Sequence, residues 1–343
     1  MAERACVSAA TVSYFASGRE DKCSPETAAR IREAIEHLRY TPNSLSRSLR
    51  TRQTMTIGIS VGRSIHINSY GERLWSGIDL ETDAAGYSQI YYPAVVRHGP
   101  SVDSYLDGRI DGLILAPSNP DDRPHQIAAA NMPIVVLAPM ESLQDGCGMV
   151  YVDEYQTVDL ALTHLWNMGH RRIGHILGPV IPMDTNPYAG QPAMSALARR
   201  DGYIKWMGEH NAYDSELLVP ALSWVSDDKS RAAIRTYLQR IMALPCPPTA
   251  FFCANDALAL AVIEIAASMG FSVPHDLSVI GVDNSIDGVL SEPRLTTVSI
   301  PAKEVGSVAV RTLLRIIQDE PINECRVAIP VTDLIVRGST RAL

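Results

Sequence analysis

Three histidines lie within a short stretch of the sequence and are the first candidates for metal chemistry. His164, His170 and His175 are spaced so that they fall on different structural elements, whereas a zinc site needs side chains that converge on one point. The six cysteines are scattered and form no CxxC pair, which is typical of free thiols in a reducing compartment. We therefore expect no metal site and no disulfide in this chain.

Catalytic chemistry is not indicated by the sequence. It holds no phosphate-binding GxxxxGK and no dinucleotide-binding GxGxxG. No pattern of side chains predicts an activated nucleophile or a paired general acid and base. The prediction is a protein that is not an enzyme and that needs no cofactor.

The residues near the N-terminus suit contact with DNA. Ser8 follows Val7 and has the side chain of a helix N-cap for the segment from Ala9 to Phe15. A recognition helix presents small groups at its N-terminus to the major groove, and its first backbone amides can face phosphate. Any short capped helix shares these features, so this segment alone leaves both interpretations open.

The distribution of charge favours the DNA interpretation. The chain of 343 residues has a formal net charge of −8. Residues 1–53 carry nine basic and six acidic side chains, a charge of +3, so the remaining residues carry −11. A small basic head on a large acidic body fits a module that touches phosphate, joined to a body with another task.

The head and the body also differ in their predicted secondary structure. Ser24-Pro25 begins a second helix, whose apolar residues recur at three and four positions up to Tyr40, and a linker follows. From residue 56 onward, short apolar strands alternate with amphipathic helices, which predicts parallel sheets covered on both faces. This length suits two doubly wound subdomains with a ligand cleft at the carboxyl ends of the strands. The predicted strands are Ile57–Val61, Gln89–Tyr92, Gly112–Leu115, Ile134–Leu137, Ile173–Leu177, Ala250–Cys253 and Val279–Val282, and the predicted helices include Leu74–Ala85, Thr157–Met168, Asp256–Met269 and Val305–Gln318.

The composition is that of a soluble globular protein, with 46% hydrophobic and 20% charged residues. No apolar run reaches the roughly 18 residues that a membrane span needs. The first 30 residues lack the apolar stretch of a secretory signal. The expected location is the cytoplasm.

Segments spread along the chain resemble, in the same order, the lactose/galactose repressor (LacI/GalR) family. The segments are VSAATVS at 7–13, SPETAARIREAIEHLRYTPNSLSRSLRT at 24–51, TIGISV at 56–61, DGLILAP at 111–117, MGHRRIGHILGP at 168–179, ANDALALAVIEIAASMGFSVPHDLSVIGVDN at 254–284, EPRLTTVSIP at 292–301 and DLIVRGST at 333–340. They cover nearly the whole chain. Because they lie in both the head and the body, the resemblance concerns the whole architecture.

This resemblance implies a small all-α helix-turn-helix head at residues 1–41 and a hinge helix with linker at 42–54. It implies an α/β periplasmic-binding-protein-like body at 55–343, which binds ligand and dimerises. The body would consist of two doubly wound parallel-sheet subdomains, one of residues 55–153 and 300–327, the other of residues 154–299 and 328–343. The implied function is a transcriptional repressor that reads a palindromic operator in double-stranded DNA as a homodimer or tetramer. A small-molecule effector, a sugar or a derivative, would control it.

The resemblance also assigns DNA-contacting residues in the head. Ala9, Ala10 and Tyr14 occupy positions that meet base edges in this family, and Ser8 and Thr11 occupy positions that face the DNA backbone. Many relatives place an arginine where this chain has Tyr14, so their operator sequences are not inherited. The alternative for Tyr14 is packing on the core of the head itself.

In the hinge, the resemblance implies that Leu49 enters the minor groove and opens a base step as an apolar wedge. Asn43 and Ser46 would cap and pack the hinge helix. Arg47 and Arg50 would place positive charge near phosphate. The alternative is an ordinary solvated linker.

In the body, Arg199, Asn255 and Asp283 fall on ligand positions of the family. An arginine fork and a carboxylate acceptor together suit a polyol such as a sugar. The alternatives are a surface arginine for Arg199 and helix caps for Asn255 and Asp283. Trp224 would either stack on a sugar face or lie in the core, and residues 67–71 replace the family's usual NPFF segment.

Two features of the N-terminus support an alternative function. In the family about seven residues precede the position of Met1, so we expect either an upstream start or a head that binds DNA weakly. Cys6 replaces the turn glycine before VS, where a left-handed backbone would cost on the order of 1 kcal/mol. The alternative is a soluble sugar-binding receptor with a weak or non-functional DNA-binding head.

Overall fold

The computed structural model describes residues 2–16, 23–38, 53–61, 69–93, 101–116, 123–138, 146–178, 194–219 and 228–343. The chain forms two compact units, Met1–Thr54 and Met55–Leu343, referred to below as the head and the body. Within the described residues, none of the helices has the length and apolar character needed to cross a membrane.

The head contains two helices, Ala9–Ala16 and Pro25–Leu38. Both predicted N-caps are present, since Ser8 Oγ accepts a hydrogen bond from the Thr11 amide at 3.1 Å and Ser24 Oγ accepts one from the Thr27 amide at 3.3 Å. The helices enclose a small core that consists of Ala5, Phe15, Ala28, Ile31 and Ala34. Phe15 and Ile31 supply the large side chains of this core.

The turn before the first head helix is closed by a left-handed residue. Cys6 has a φ of 52°, its amide donates to the Glu3 carbonyl, and the Val7 amide donates to the Ala2 carbonyl. This pair of hydrogen bonds is the Schellman pattern that ends a helical turn, in which glycine is the preferred left-handed residue. The conformation expected at Cys6 is therefore confirmed.

The body contains two six-stranded sheets. The strands are β1 Thr56–Val61, β2 Ser88–Tyr91, β3 Gly112–Ala116, β4 Ile134–Val136, β5 Gly148–Val152, β6 Ile173–Ile176, β7 Leu218–Val219, β8 Ala250–Cys253, β9 Ser278–Val282, β10 Thr296–Ser299, β11 Arg326–Ile329 and β12 Asp333–Ile335. The first sheet has the order β11-β5-β4-β3-β1-β2 and the second has the order β12-β10-β9-β8-β6-β7. All neighbouring strands are parallel except β10 and β12, which are antiparallel. The predicted fold class, a helical head with a body of two parallel sheets, is confirmed.

Each sheet and the helices packed on it form a lobe. The first lobe carries the helices Ser69–Ala84, Val102–Tyr105, Arg123–Ala129 and Ala302–Ile317 and a 3-10 turn at Ile322–Glu324. The second lobe carries the helices Glu154–Asn167, Met194–Glu209, Asp228–Met242, Asp256–Ser268 and Ile286–Leu290 and a 3-10 turn at Ser215–Leu217. The chain passes from one lobe to the other after Val152, Ser299 and Ile329. The sequence predicted that the chain returns to the second lobe after residue 327. In the structure this last crossing follows Ile329, two residues later.

All seven strands predicted from the sequence are present, and none of their ends differs by more than one residue. Of the four predicted helices, three begin earlier than expected, because a helix starts at its cap rather than at its first buried apolar residue. The strands β5, β7, β10, β11 and β12 were not predicted. Three of these, β7, β11 and β12, lie at sheet edges, where short segments with polar residues suffice.

Two helices of the first lobe cross with their backbones in contact. Ser69–Ala84 and Ala302–Ile317 meet at Gly77 and Gly306, and a Cβ atom at either glycine would collide with the backbone of the other helix. Ala302–Ile317 is thereby fixed to the first lobe, although it follows nearly all of the second lobe in the sequence.

Candidate DNA-contacting helix and effector cleft

The first head helix presents its predicted DNA-contacting residues to solvent. Ser8, Ala9 and Ala10 are exposed, Thr11 is half-buried, and the Tyr14 side chain is 46% exposed. Phe15 points the other way into the head core. Tyr14 lies outside that core, so the packing alternative for Tyr14 loses its support.

Six further residues from the sequence analysis lie outside the described residues. They are Asn43, Ser46, Arg47, Leu49 and Arg50 of the hinge and Trp224 of the body. Their assignments stay predictions.

In the body, Arg199 lies at the carboxyl edge of the second sheet and is only 7% exposed. Its Nε and Nη2 atoms donate to the two carboxylate oxygens of Glu154 at 2.7 and 2.9 Å, and its Nη1 donates to the Ala254 carbonyl at 2.5 Å. Glu154 begins the helix that follows β5, directly after the N-cap Asp153. The sequence analysis predicted that the Arg199 guanidinium binds a ligand. In the structure this guanidinium is paired with the carboxylate of Glu154, a residue that the sequence did not indicate.

Asp283 directly follows β9 and lies within electrostatic reach of Arg199 and Glu154. Burial raises the pKa of its carboxyl to about 7. The positive charge of Arg199 lowers this pKa, and the negative charges of Asp256 and Glu154 raise it further. Among the described residues none donates a hydrogen bond to this carboxylate. The cleft thus holds an acceptor group that a ligand with a donor could satisfy.

Asn255 and Asp256 have local roles beside the cleft. Asn255 Oδ1 accepts from the Leu258 amide at 2.9 Å and caps the helix Asp256–Ser268, as its structural alternative predicted. Asp256 accepts hydrogen bonds from the Ser285 amide at 2.7 Å and from the Thr297 hydroxyl at 2.6 Å. The assignment of Asn255 as a ligand contact stays a prediction. Asp283 does not cap the helix Ile286–Leu290, because Ser285 is the N-cap of that helix.

The first lobe adds two residues to the cleft, Tyr70 and Arg73, which the sequence analysis did not assign. Tyr70 packs against the cores of both lobes. Burial, followed by the charges of Glu154 and Asp283, raises the pKa of its phenol above the ordinary value, so the hydroxyl stays protonated. Arg73 donates to the main chain of the second lobe at Asp283 and Asn284. No local pattern identifies these residues, because their partners lie more than 80 positions away.

The three histidines considered as metal ligands have separate partners. His164 bonds to the Thr340 hydroxyl at 3.0 Å, and His170 bonds to the Thr249 hydroxyl at 2.8 Å and to the Arg341 carbonyl at 3.1 Å. His175 stacks between Tyr203 and Phe252, and burial lowers its pKa to about 4. His164 and His170 thus bind neighbouring residues of the C-terminal segment, and His175 has separate contacts around β6.

Residues 58–62 have the GxSxG spacing of a nucleophile elbow, which the sequence analysis overlooked. Ser60 is buried within β1, and its hydroxyl shares a hydrogen bond of 2.9 Å with the Tyr105 hydroxyl. A nucleophile elbow places its serine on an exposed turn between a strand and a helix. Ser60 is therefore a core residue.

Comparison with known proteins covers both units. Residues 1–43 match the profile of bacterial regulatory proteins of the lacI family, and residues 162–340 match that of periplasmic binding protein-like domains. The HTH-type transcriptional repressor CytR of Escherichia coli K12 is 30% identical over 347 residues, which cover 100% of this chain and 96% of CytR. The chain belongs to the LacI family. Catabolite control protein A of Priestia megaterium is 28% identical and covers 96% of the chain, with 95% of its own length matched.

Solved structures of the LacI family have the same architecture. The lac repressor dimer bound to operator and the anti-inducer ONPF has a TM-score of 0.79 at 23% identity and covers 99% of this chain and 98% of its own. The transcriptional regulator CelR in complex with cellobiose has a TM-score of 0.70 at 26% identity and covers 98% of both chains. The resemblance stated from the sequence segments is confirmed.

Proposed function

We propose that this protein is a transcriptional repressor that binds an operator as a homodimer and whose DNA affinity is set by a small polar effector held between the two lobes. The observation that carries the proposal is the similarity to the repressor CytR over the whole chain, through both the head and the body. The exposed Ser8, Ala9, Ala10 and Tyr14 support the DNA-binding part, because small exposed groups at a helix start suit the major groove. The expected location is the cytoplasm, where the operator is.

A polyhydroxylated effector, such as a sugar or a derivative, fits the groups in the cleft. The carboxylate of Asp283 accepts, the phenol of Tyr70 donates, and Arg199 keeps N–H groups beyond those bonded to Glu154 and Ala254. CelR, which is 26% identical, was solved with cellobiose. By moving the lobes, such a ligand would shift the population of the DNA-binding state.

Exposed apolar residues of the body support the homodimer. Leu80 on the helix Ser69–Ala84 is 57% exposed, and Ile286 and Leu290 on the helix Ile286–Leu290 are 58% and 76% exposed. Ile286 and Leu290 lie four residues apart on one helix and form an exposed apolar pair, which favours a protein interface. Light scattering on the purified chain should give twice the mass of 37.4 kDa, and Leu290→Glu should shift it toward the monomer.

The DNA-binding part is tested by selection. The purified chain is incubated with a random duplex library, and the enriched sequences are expected to be palindromic. Tyr14→Phe should weaken binding to the selected operator by about 1 kcal/mol through loss of one hydroxyl, without changing stability. A library that shows no enrichment, together with retained sugar binding, would favour the receptor alternative.

Leu49 allows a test of the hinge assignment. If Leu49 opens a base step, Leu49→Ala should weaken operator binding by about 2 kcal/mol while the cleft keeps its ligand affinity. Both affinities are measured by titration. An unchanged operator affinity would remove the wedge assignment and leave the linker interpretation.

A further inference from the structure

Arg73 joins the two lobes beside Asp283 of the candidate effector cleft. It lies in the first turns of the helix Ser69–Ala84, and its guanidinium donates to the Asn284 carbonyl at 3.1 Å and to the Asp283 carbonyl. A second bond runs beside it, from the Ile286 amide to Ser69 Oγ at 3.2 Å. The start of one helix in the first lobe thus holds the loop after β9 in the second lobe.

The loop that receives Arg73 is built by its own lobe. Asp283 and Asn284 both have left-handed backbones, with φ of 114° and 51°. Non-glycine residues keep such conformations only when their surroundings enforce them. Here the Asp283 amide donates to Val298, the Asn284 amide donates to Thr297 Oγ1, and Arg337 donates to Asn284 Oδ1 at 2.6 Å. The two carbonyl oxygens therefore form a prepared acceptor site for a guanidinium.

Asp283 belongs to both features, the loop and the cleft. Its carbonyl accepts from Arg73, while its carboxylate lies among the charges of Arg199 and Glu154. The Nε of Arg73 is buried and has no acceptor among the described residues. A ligand that donates to the carboxylate of Asp283 and accepts from the Nε of Arg73 would contact both lobes.

We propose that Arg73 is a positioning residue that holds the cleft closed, and that its docking on the Asp283–Asn284 loop is coupled to effector occupancy and to operator affinity. The docking itself follows from the contacts of the body. Its coupling to DNA rests on the proposed function. Because Arg73 uses main-chain carbonyls, the loop keeps its shape when the side chain is shortened, and only the link between the lobes is lost.

The docking is tested by amide hydrogen exchange on the full chain without added ligand. Arg73→Met should accelerate exchange of the peptides that cover 283–290 at least tenfold, because opening exposes the Ile286 amide. Arg73→Lys, which donates from a single nitrogen, should give an intermediate rate. Arg311→Met is the matched control, since Arg311 is bonded to Glu81 within the first lobe. Equal rates in wild type, Arg73→Met and Arg73→Lys would overturn the docking.

The coupling is tested with the operator duplex obtained by selection. Arg73→Met is expected to change operator affinity at least fivefold relative to Arg311→Met, and to change the effect of added cellobiose on that affinity. Faster exchange with operator affinity equal to that of Arg311→Met would overturn the coupling while leaving the docking in place. If the chain selects no DNA, the proposed function and the coupling fail together, and the exchange rates still decide the docking.

Discussion

The head and the effector cleft place their functional groups in opposite environments. In the head, Ser8, Ala9 and Ala10 are exposed at the start of a short helix that packs on a small core. In the cleft, Arg199 and Glu154 are withdrawn from solvent and satisfy each other. The comparison shows that exposed small groups need only a correctly capped helix, whereas buried charges require a matched partner from another element. Local changes should therefore have small effects in the head and large ones in the cleft.

The largest effect is expected when the buried ion pair is broken. Glu154→Gln leaves Arg199 buried without its counter-charge and should lower the free energy of unfolding by about 3 kcal/mol. The free energy is measured by urea unfolding. Glu81→Gln removes the partner of Arg311, whose side chain is 51% exposed, and should cost no more than about 1 kcal/mol. Equal losses in the two variants would contradict the contrast between buried and exposed pairs.

A smaller effect, of about 2 kcal/mol, is expected from the titration of Asp283. Because burial raises the pKa of the folded carboxyl to about 7, the folded chain binds the proton more tightly than the unfolded chain does. The stabilisation is present at low pH and is lost as the pH rises from about 4 to about 7. Asp283→Asn has no such carboxyl, so its stability relative to wild type should increase between pH 5 and pH 8.

The measurement is urea unfolding of both proteins at the two pH values. The difference between them isolates this residue, because all other titrating groups are shared. A stability difference that stays constant from pH 5 to pH 8 would show that the Asp283 carboxyl is ionised throughout.

The smallest effect is expected in the head. Cys6→Gly relieves the left-handed strain at φ 52° and should stabilise the head by about 1 kcal/mol. This stabilisation is measured as slower amide exchange in the helix Pro25–Leu38. Cys6→Ala keeps the strain and is the control, so equal protection in the two variants would show that the turn carries no strain.

The same contrast explains how far the sequence could predict the structure. Ser8 and Ser24 were identified as caps because a cap depends on the next three residues. The body strands were predicted because buried parallel strands are short apolar runs. Glu154 and Arg73 were missed, since their partners are 45 and more than 200 positions away and no local pattern encodes such a pairing. Family resemblance located Arg199 and Asp283, but it could not show that Glu154 occupies the fork of Arg199.

The order of the chain has a consequence for synthesis of the protein. The first lobe begins at β1, yet its sheet and its covering layer are completed by the helix Ala302–Ile317 and by β11. While the ribosome translates the second lobe, the first lobe lacks that helix and exposes the apolar face that packs against Val305, Ala309 and Leu313. Chains that expose apolar surface during translation are prone to aggregation. The nascent first lobe is thus expected to depend on chaperones until residue 329 has left the ribosome.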